Sequence, residues 1–169
     1  MIKQATNHNL LQLKFVLEQI NNNQFSSQLD VLNGSTIGMH VRHILEFYNC
    51  LINSKNTSQI NYDHRKRDAL LEVSVDECIK TISKILLFLD EVESDFDIKL
   101  SANYSIQNES ENVVLSSTFY RELLYNVEHT VHHLAIIKIG LKTIDANLKI
   151  DNSFGVAAST IRNNNLCAQ

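Results

Sequence analysis

The chain of 169 residues contains no proline and only four glycines. With so few backbone breakers, long helices can run without an internal stop. It also lacks any apolar run long enough for a membrane span or a signal peptide. Met1 leads directly into Lys3, Gln4, Asn7 and His8, so the expectation is a cytoplasmic protein with no membrane association. Cysteine is scarce: Cys50, Cys78 and Cys167 are widely spaced. Three scattered thiols form neither a disulfide framework nor a cysteine-based zinc site, and they suit a reducing compartment. Cys50 and Cys78 fall among apolar helical positions and read as core thiols. Basic charge is in deficit, with a net charge of −4. The longest basic run, Arg65-Lys66-Arg67, is flanked by Asp63 and Asp68. A nucleic-acid partner is therefore not expected.

What is present is a core. Hydrophobic residues make up 44% of the chain, enough for one compact domain spanning residues 1–169. Four segments carry helical periodicity. The first, Ile2 to Asn21, repeats Leu10, Leu13, Leu17 and Ile20, and the run Asn21-Asn-Asn-Gln24 ends it. The second follows Ser35 or Thr36 as N-cap, carries Ile37, Val41, Ile44, Tyr48 and Leu51, and stops near Asn53-Ser54. The third starts near Ser74, with Glu77 placed for a capping box, and carries Cys78, Ile82, Ile85 and Leu89. The fourth runs from Ser117 to Ile144 with Leu123, Val127, Val131, Leu134 and Leu141 on its core side. Asp97 to Ser105 and Val113 to Ser117 alternate weakly and predict a short β-hairpin before the fourth helix. The tail, Asp151 to Gln169, predicts one short helix around Phe154 to Ile161. The expected fold is all-α: a four-helix bundle with long connections. The polar connection after the second helix is long enough to be functional in its own right.

Histidine carries the chemistry. His129 and His133 lie four apart in the fourth helix, so both rings project from one face and can converge on one metal ion. His132 points to a different part of that helix. The second helix offers His40 and His43. His40 lies nearer the stripe of Ile37, Val41 and Ile44, and periodicity slightly favours it as the buried one. His43 shares a ridge with Met39, Phe47 and Cys50, and Glu46 could accept a proton from its ring. His8 and His64 are expected at the surface, although His64, like His40, remains open as a further ligand.

Two motifs resemble those of the DinB/YfiT-like superfamily, and the resemblance covers almost the whole chain. Thr36-Ile37-Gly38, followed by four residues and His43, resembles the family's Ser/Thr-Ile-Gly-x-x-x-x-His helix start. His129-Thr-Val-His-His133 resembles its His-x-x-His-His block. The family's usual Arg-Gly-Gln continuation is replaced here by Leu134-Ala135-Ile136. The resemblance implies a helical bundle with one divalent metal, zinc or nickel, on His43, His129 and His133, which overrides the periodicity preference for His40. It also implies a small-molecule substrate, with related families including metal-dependent hydrolases and transferases that use low-molecular-weight thiols. A homodimer is expected from the habits of such bundles.

Three imidazoles leave a divalent ion its full charge and an open position, the arrangement of catalytic zinc. Such a site lowers the pKa of a bound water or thiol, so it suits hydrolysis or thiol transfer. Glu122 and Tyr125, seven and four residues before His129, are the candidate general base and anion-stabilising donor. Arg65 or Arg67 could read an anionic substrate from the long connection. The alternative is a metal-binding bundle without catalysis, serving as sensor, store or structural dimer.

Overall fold

A computed structural model describes residues 1–106 and 111–167, with backbone alone for 165–167. The chain is mostly helical with a small three-stranded sheet. In chain order the elements are α1 (Ile2–Leu17), α2 (Asn22–Ser26), a 3-10 turn (Asp30–Leu32), α3 (Ile37–Thr57), β1 (Gln59–Ile60), α4 (Leu70–Val73), α5 (Val75–Glu91), β2 (Asp97–Ala102), β3 (Val113–Thr118), α6 (Phe119–Ile144) and α7 (Ala158–Cys167).

Each of the four long helices packs against two of the others: α1 and α3 both lie against α5 and α6. The stripes of α1, α3 and α5 read from the sequence are all buried there. Thr36 caps α3 by accepting a hydrogen bond from Met39 N, and Ser74 caps α5 by accepting one from Glu77 N. The Glu77 carboxylate pairs with Lys80 at 3.4 Å. Helix α3 runs on to Thr57, past the expected stop, and Ser58 closes it in the left-handed conformation at φ 54°.

Three expectations need correction. Helix α1 ends at Leu17, and Asn21 does not terminate it but starts α2. Its side chain accepts from Gln24 N while Asn21 N donates to the Gln24 side chain, a reciprocal capping box. The core side of α6 is shifted: Val127 and Val131 are only half-buried, whereas Asn126, Thr130 and Ile137 are buried. The short tail helix begins at Ala158, four residues beyond Phe154, which is itself buried in the core.

The all-α expectation holds for most of the chain, not all of it. The hairpin forms, β2 pairing antiparallel with β3 from Asp97↔Thr118 to Ala102↔Val113. A third strand, β1, adds in parallel to the free edge of β2, with Gln59↔Lys99 and Ile60↔Leu100. This sheet fixes two chain directions at once. β1 launches the connection that begins at Asn61 and Tyr62, and β3 hands the chain to α6 through the N-cap Thr118.

The connection from 61 to 73 folds back onto α3. Gly38 makes this possible: a Cβ there would sit 2.0 Å from the Glu72 carbonyl oxygen. Buried Glu46 fastens the same segment, accepting from Asp68 N at 2.9 Å and from Arg65 Nε at 3.1 Å. Beyond α6, Gly155 at φ 70° lets the tail press on the backbone of Leu134 and Ala135. Leu134 and Ala135, which stand where Arg-Gly was expected, thus lie against the Gly155 backbone.

Among the described residues no helix is long and apolar enough to cross a membrane.

Candidate metal centre

Helix α6 presents two parallel rows of side chains, each spaced by four. Glu122, Asn126 and Thr130 form the buried row, and Tyr125, His129 and His133 form the half-exposed one. The first row anchors the second. Glu122 accepts from Ser117 Oγ at 2.6 Å and from Tyr62 OH at 3.0 Å. Asn126 Nδ2 donates to Tyr62 OH at 2.9 Å, and Thr130 Oγ1 lies 3.1 Å from Tyr48 OH. These bonds tie α6 to α3 and to the connection.

His43 comes across from α3 to meet the second row. The ligand nitrogens of His43, His129 and His133 lie within 4.8 Å of one another. His43 Nε2 and His129 Nε2 are 2.8 Å apart. Two imidazoles bound tetrahedrally at zinc or nickel distances hold their nitrogens about 3.3 Å apart. The 2.8 Å pair lies near that value, so the three rings could hold an ion, and an all-imidazole donor set suits divalent transition metals, zinc and nickel among them.

The rings are also in the right protonation state. Burial, followed by the neighbouring His129 and Arg65, lowers the pKa of His43 to about 4. Burial, then His129 and His43, lowers that of His133 to about 3. Burial and His132 push His129 down as well. All three are neutral near pH 7, as metal ligation requires.

His40 stands beside this triplet. Its Nδ1 is 3.1 Å from His133 Nδ1, but it does not join the converging nitrogens. His132, His64 and His8 are exposed.

Glu46 does not reach His43 as expected from their spacing. Arg65 stands between them. Its Nε pairs with Glu46, its Nη1 donates to the Tyr62 carbonyl at 2.8 Å, and its Nη2 lies 3.3 Å from His43 Nδ1. A guanidinium only donates, so this contact puts the His43 proton on Nε2, toward His129. Binding an ion through Nε2 would place the ring proton on Nδ1, removing the acceptor that faces Arg65. Arg65 is thus committed within the fold, its guanidinium also 5.1 Å over the Phe47 ring. Arg67 is exposed.

Aromatic rings form the wall beside the histidines. Phe47 stacks on His129 with centroids 4.6 Å apart and on Tyr62 at 4.7 Å. Tyr125 also stacks on His129, at 5.7 Å, and lies 6.3 Å from Phe47. Glu122, Tyr125, Phe47 and Tyr62 all line a cavity of about 190 Å³ that extends from this wall to β2. Of the two candidate catalytic residues, Tyr125 sits next to His129, while Glu122 lies two helical turns away and shares only the cavity lining with Tyr125. Glu122 is buried with its two oxygens engaged, and Tyr125 is partly exposed. Phe47 shares the His43 ridge as its spacing predicts, and the back-folding of the connection brings Tyr62 and Arg65 to the histidines, Arg65 in contact with His43 and Glu46.

No protein-family model matches the chain, and no solved structure matches it. A curated protein named FK506-binding protein 5, from Rhizopus delemar, is 32% identical over 106 residues, covering 61% of this chain and 27% of that protein. The chain spans about a quarter of that relative's length, and the likeness assigns no family.

Proposed function

We propose that this chain is a metal-dependent enzyme of the DinB/YfiT-like kind, holding one zinc or nickel ion on His43, His129 and His133. The observation that carries the reading is the convergence of three neutral, half-buried imidazoles from two helices beside an aromatic-walled cavity. In this reading the ring of α1, α3, α5 and α6 is a four-helix bundle, with its site built from facing helices. The bound ion would supply Lewis acidity and an acidified water or thiol, supporting hydrolysis or thiol S-transfer. His40 would orient His133 through the Nδ1 contact rather than complete a fourth ligand. Tyr125, partly exposed beside His129, would donate to a developing anion. Glu122, whose oxygens hold Ser117 and Tyr62, would serve as a base only after releasing one of them.

The test is turnover of 4-nitrophenyl acetate, and of 1-chloro-2,4-dinitrobenzene with cysteine, by zinc-loaded, nickel-loaded and metal-stripped protein. Activity that appears with metal and is lost in His43→Ala supports the enzyme. Stoichiometric metal without activity in either assay favours the non-catalytic metal-binding reading, and activity indifferent to metal and to His43→Ala refutes the site.

A further inference from the structure

The cavity beside His129 has a definite chemistry of its own. Phe47, Tyr62 and Tyr125 wall one side, and Leu100 and Ala102 of β2 close the other. Tyr125 lies 5.5 Å from Tyr62 and 6.3 Å from Phe47, centroid to centroid. The volume of about 190 Å³ exceeds the roughly 150 Å³ of an apolar cavity known to admit benzene, and falls short of a pocket for a multi-ring ligand. One six-membered ring with a substituent fills it.

The polar groups are mixed in sign. Arg121, Asp63 and Glu122 also line the cavity. Arg121 lies 3.8 Å from Glu122, whose oxygens are taken by Ser117 and Tyr62. Arg121 offers donors and Asp63 an acceptor. With two carboxylates to one guanidinium a full negative charge on a ligand gains no advantage here, while a neutral group that both donates and accepts satisfies each side.

We propose that this cavity is the substrate subsite, and that it takes a single uncharged aromatic ring bearing one polar substituent. The inference rests on the metal reading only for the neighbouring reaction centre. Aromatic walls favour an aromatic guest over an aliphatic one of equal size, because ring quadrupoles add attraction beyond area burial. Phe47 and Tyr125 touch both the cavity and His129, so a ring held there keeps its substituent close to the histidines.

The experiment is a fluorine NMR titration of the full chain with 4-fluorophenol, run zinc-loaded and metal-stripped, beside 4-fluorobenzoate and with cyclohexanol as competitor. The expected result is saturable binding of 4-fluorophenol in the millimolar range, with weaker 4-fluorobenzoate and poor competition by cyclohexanol. Ala102→Leu, which fills the cavity, should abolish binding. Tyr125→Leu, at a partly exposed position that folding tolerates, should weaken it about three- to tenfold. Tighter binding of 4-fluorobenzoate, equal binding of cyclohexanol, or binding unchanged in both variants would overturn the proposal. So would zinc uptake without saturable 4-fluorophenol binding. Binding of 4-fluorophenol by a chain that takes up no zinc would leave the subsite standing and remove the metal reading alone.

Discussion

Replacing Glu46 by glutamine should be among the most damaging single changes to this fold. The Glu46 side chain is 1% exposed and that of Arg65 is 11% exposed. Glu46→Gln keeps the shape but leaves Arg65, which has no other carboxylate partner among the described residues, as a mostly buried and uncompensated cation. Removing one member of such a pair costs about 3–5 kcal/mol. Arg42, at 3.5 Å from Glu46, keeps its own pair with Glu72 and suffers less. The lower end, about 3 kcal/mol, is therefore expected, or a urea midpoint lower by about 1.5 M for a denaturant slope near 2 kcal/mol/M. Arg65→Met should cost less, about 1–2 kcal/mol, because Glu46 retains Arg42 and Asp68 N. The double variant should then be less damaged than the sum, with a coupling of about 1.5 kcal/mol or more. Additivity within about 0.5 kcal/mol would refute the buried-pair reasoning. Arg65→Met should also raise the His43 pKa, read by NMR titration, since the guanidinium is one cause of its depression.

Three further outcomes follow from the same geometry. Metal-free protein should lose stability as pH falls below about 6.5, levelling off near pH 3–4: the unfolded chain binds protons at His43 and His133 before the folded chain does. With solvent screening of these half-buried rings the loss is on the order of 2 kcal/mol, and His43→Gln/His133→Gln should flatten the urea-midpoint profile between pH 7.5 and 4. Gly38→Ala must displace backbone at Glu72 and should destabilise by about 2 kcal/mol, with a parallel change in the His43 NMR signals as Arg65 shifts. Thr130→Val should cost about 1 kcal/mol in urea unfolding, because buried Tyr48 OH loses one of its two threonine partners and keeps Thr6, whereas a cost of about 3 kcal/mol would show that Thr6 does not hold it.

The helices were legible where apolar spacing and a cap agree, as in α3 with Thr36 and α5 with Ser74. The core face of helix α6 departs from its apolar spacing because Glu122, Asn126 and Thr130 are polar yet buried, tied to Tyr62, Ser117 and Tyr48 from other segments. A hydrophobic template cannot see such a face. Strand β1 escaped notice because two residues carry no alternation, and pairing with β2 creates it. The i,i+4 histidines of α6 were legible from spacing. The choice between His40 and His43 was not, since periodicity places them on adjoining ridges, and packing brings both rings close to His133. Arg65 beside His43 depends on the close approach over Gly38, a contact between segments that linear spacing does not encode.

Elemental analysis tests the metal reading most directly. The 169-residue chain is incubated with zinc or nickel, desalted and analysed beside His129→Ala/His133→Ala and His132→Ala, each checked for folding by circular dichroism. The account predicts close to one ion per chain in the unaltered protein and in His132→Ala, and none in the double variant. No retained metal in the unaltered protein, or full retention in the folded double variant, would contradict it.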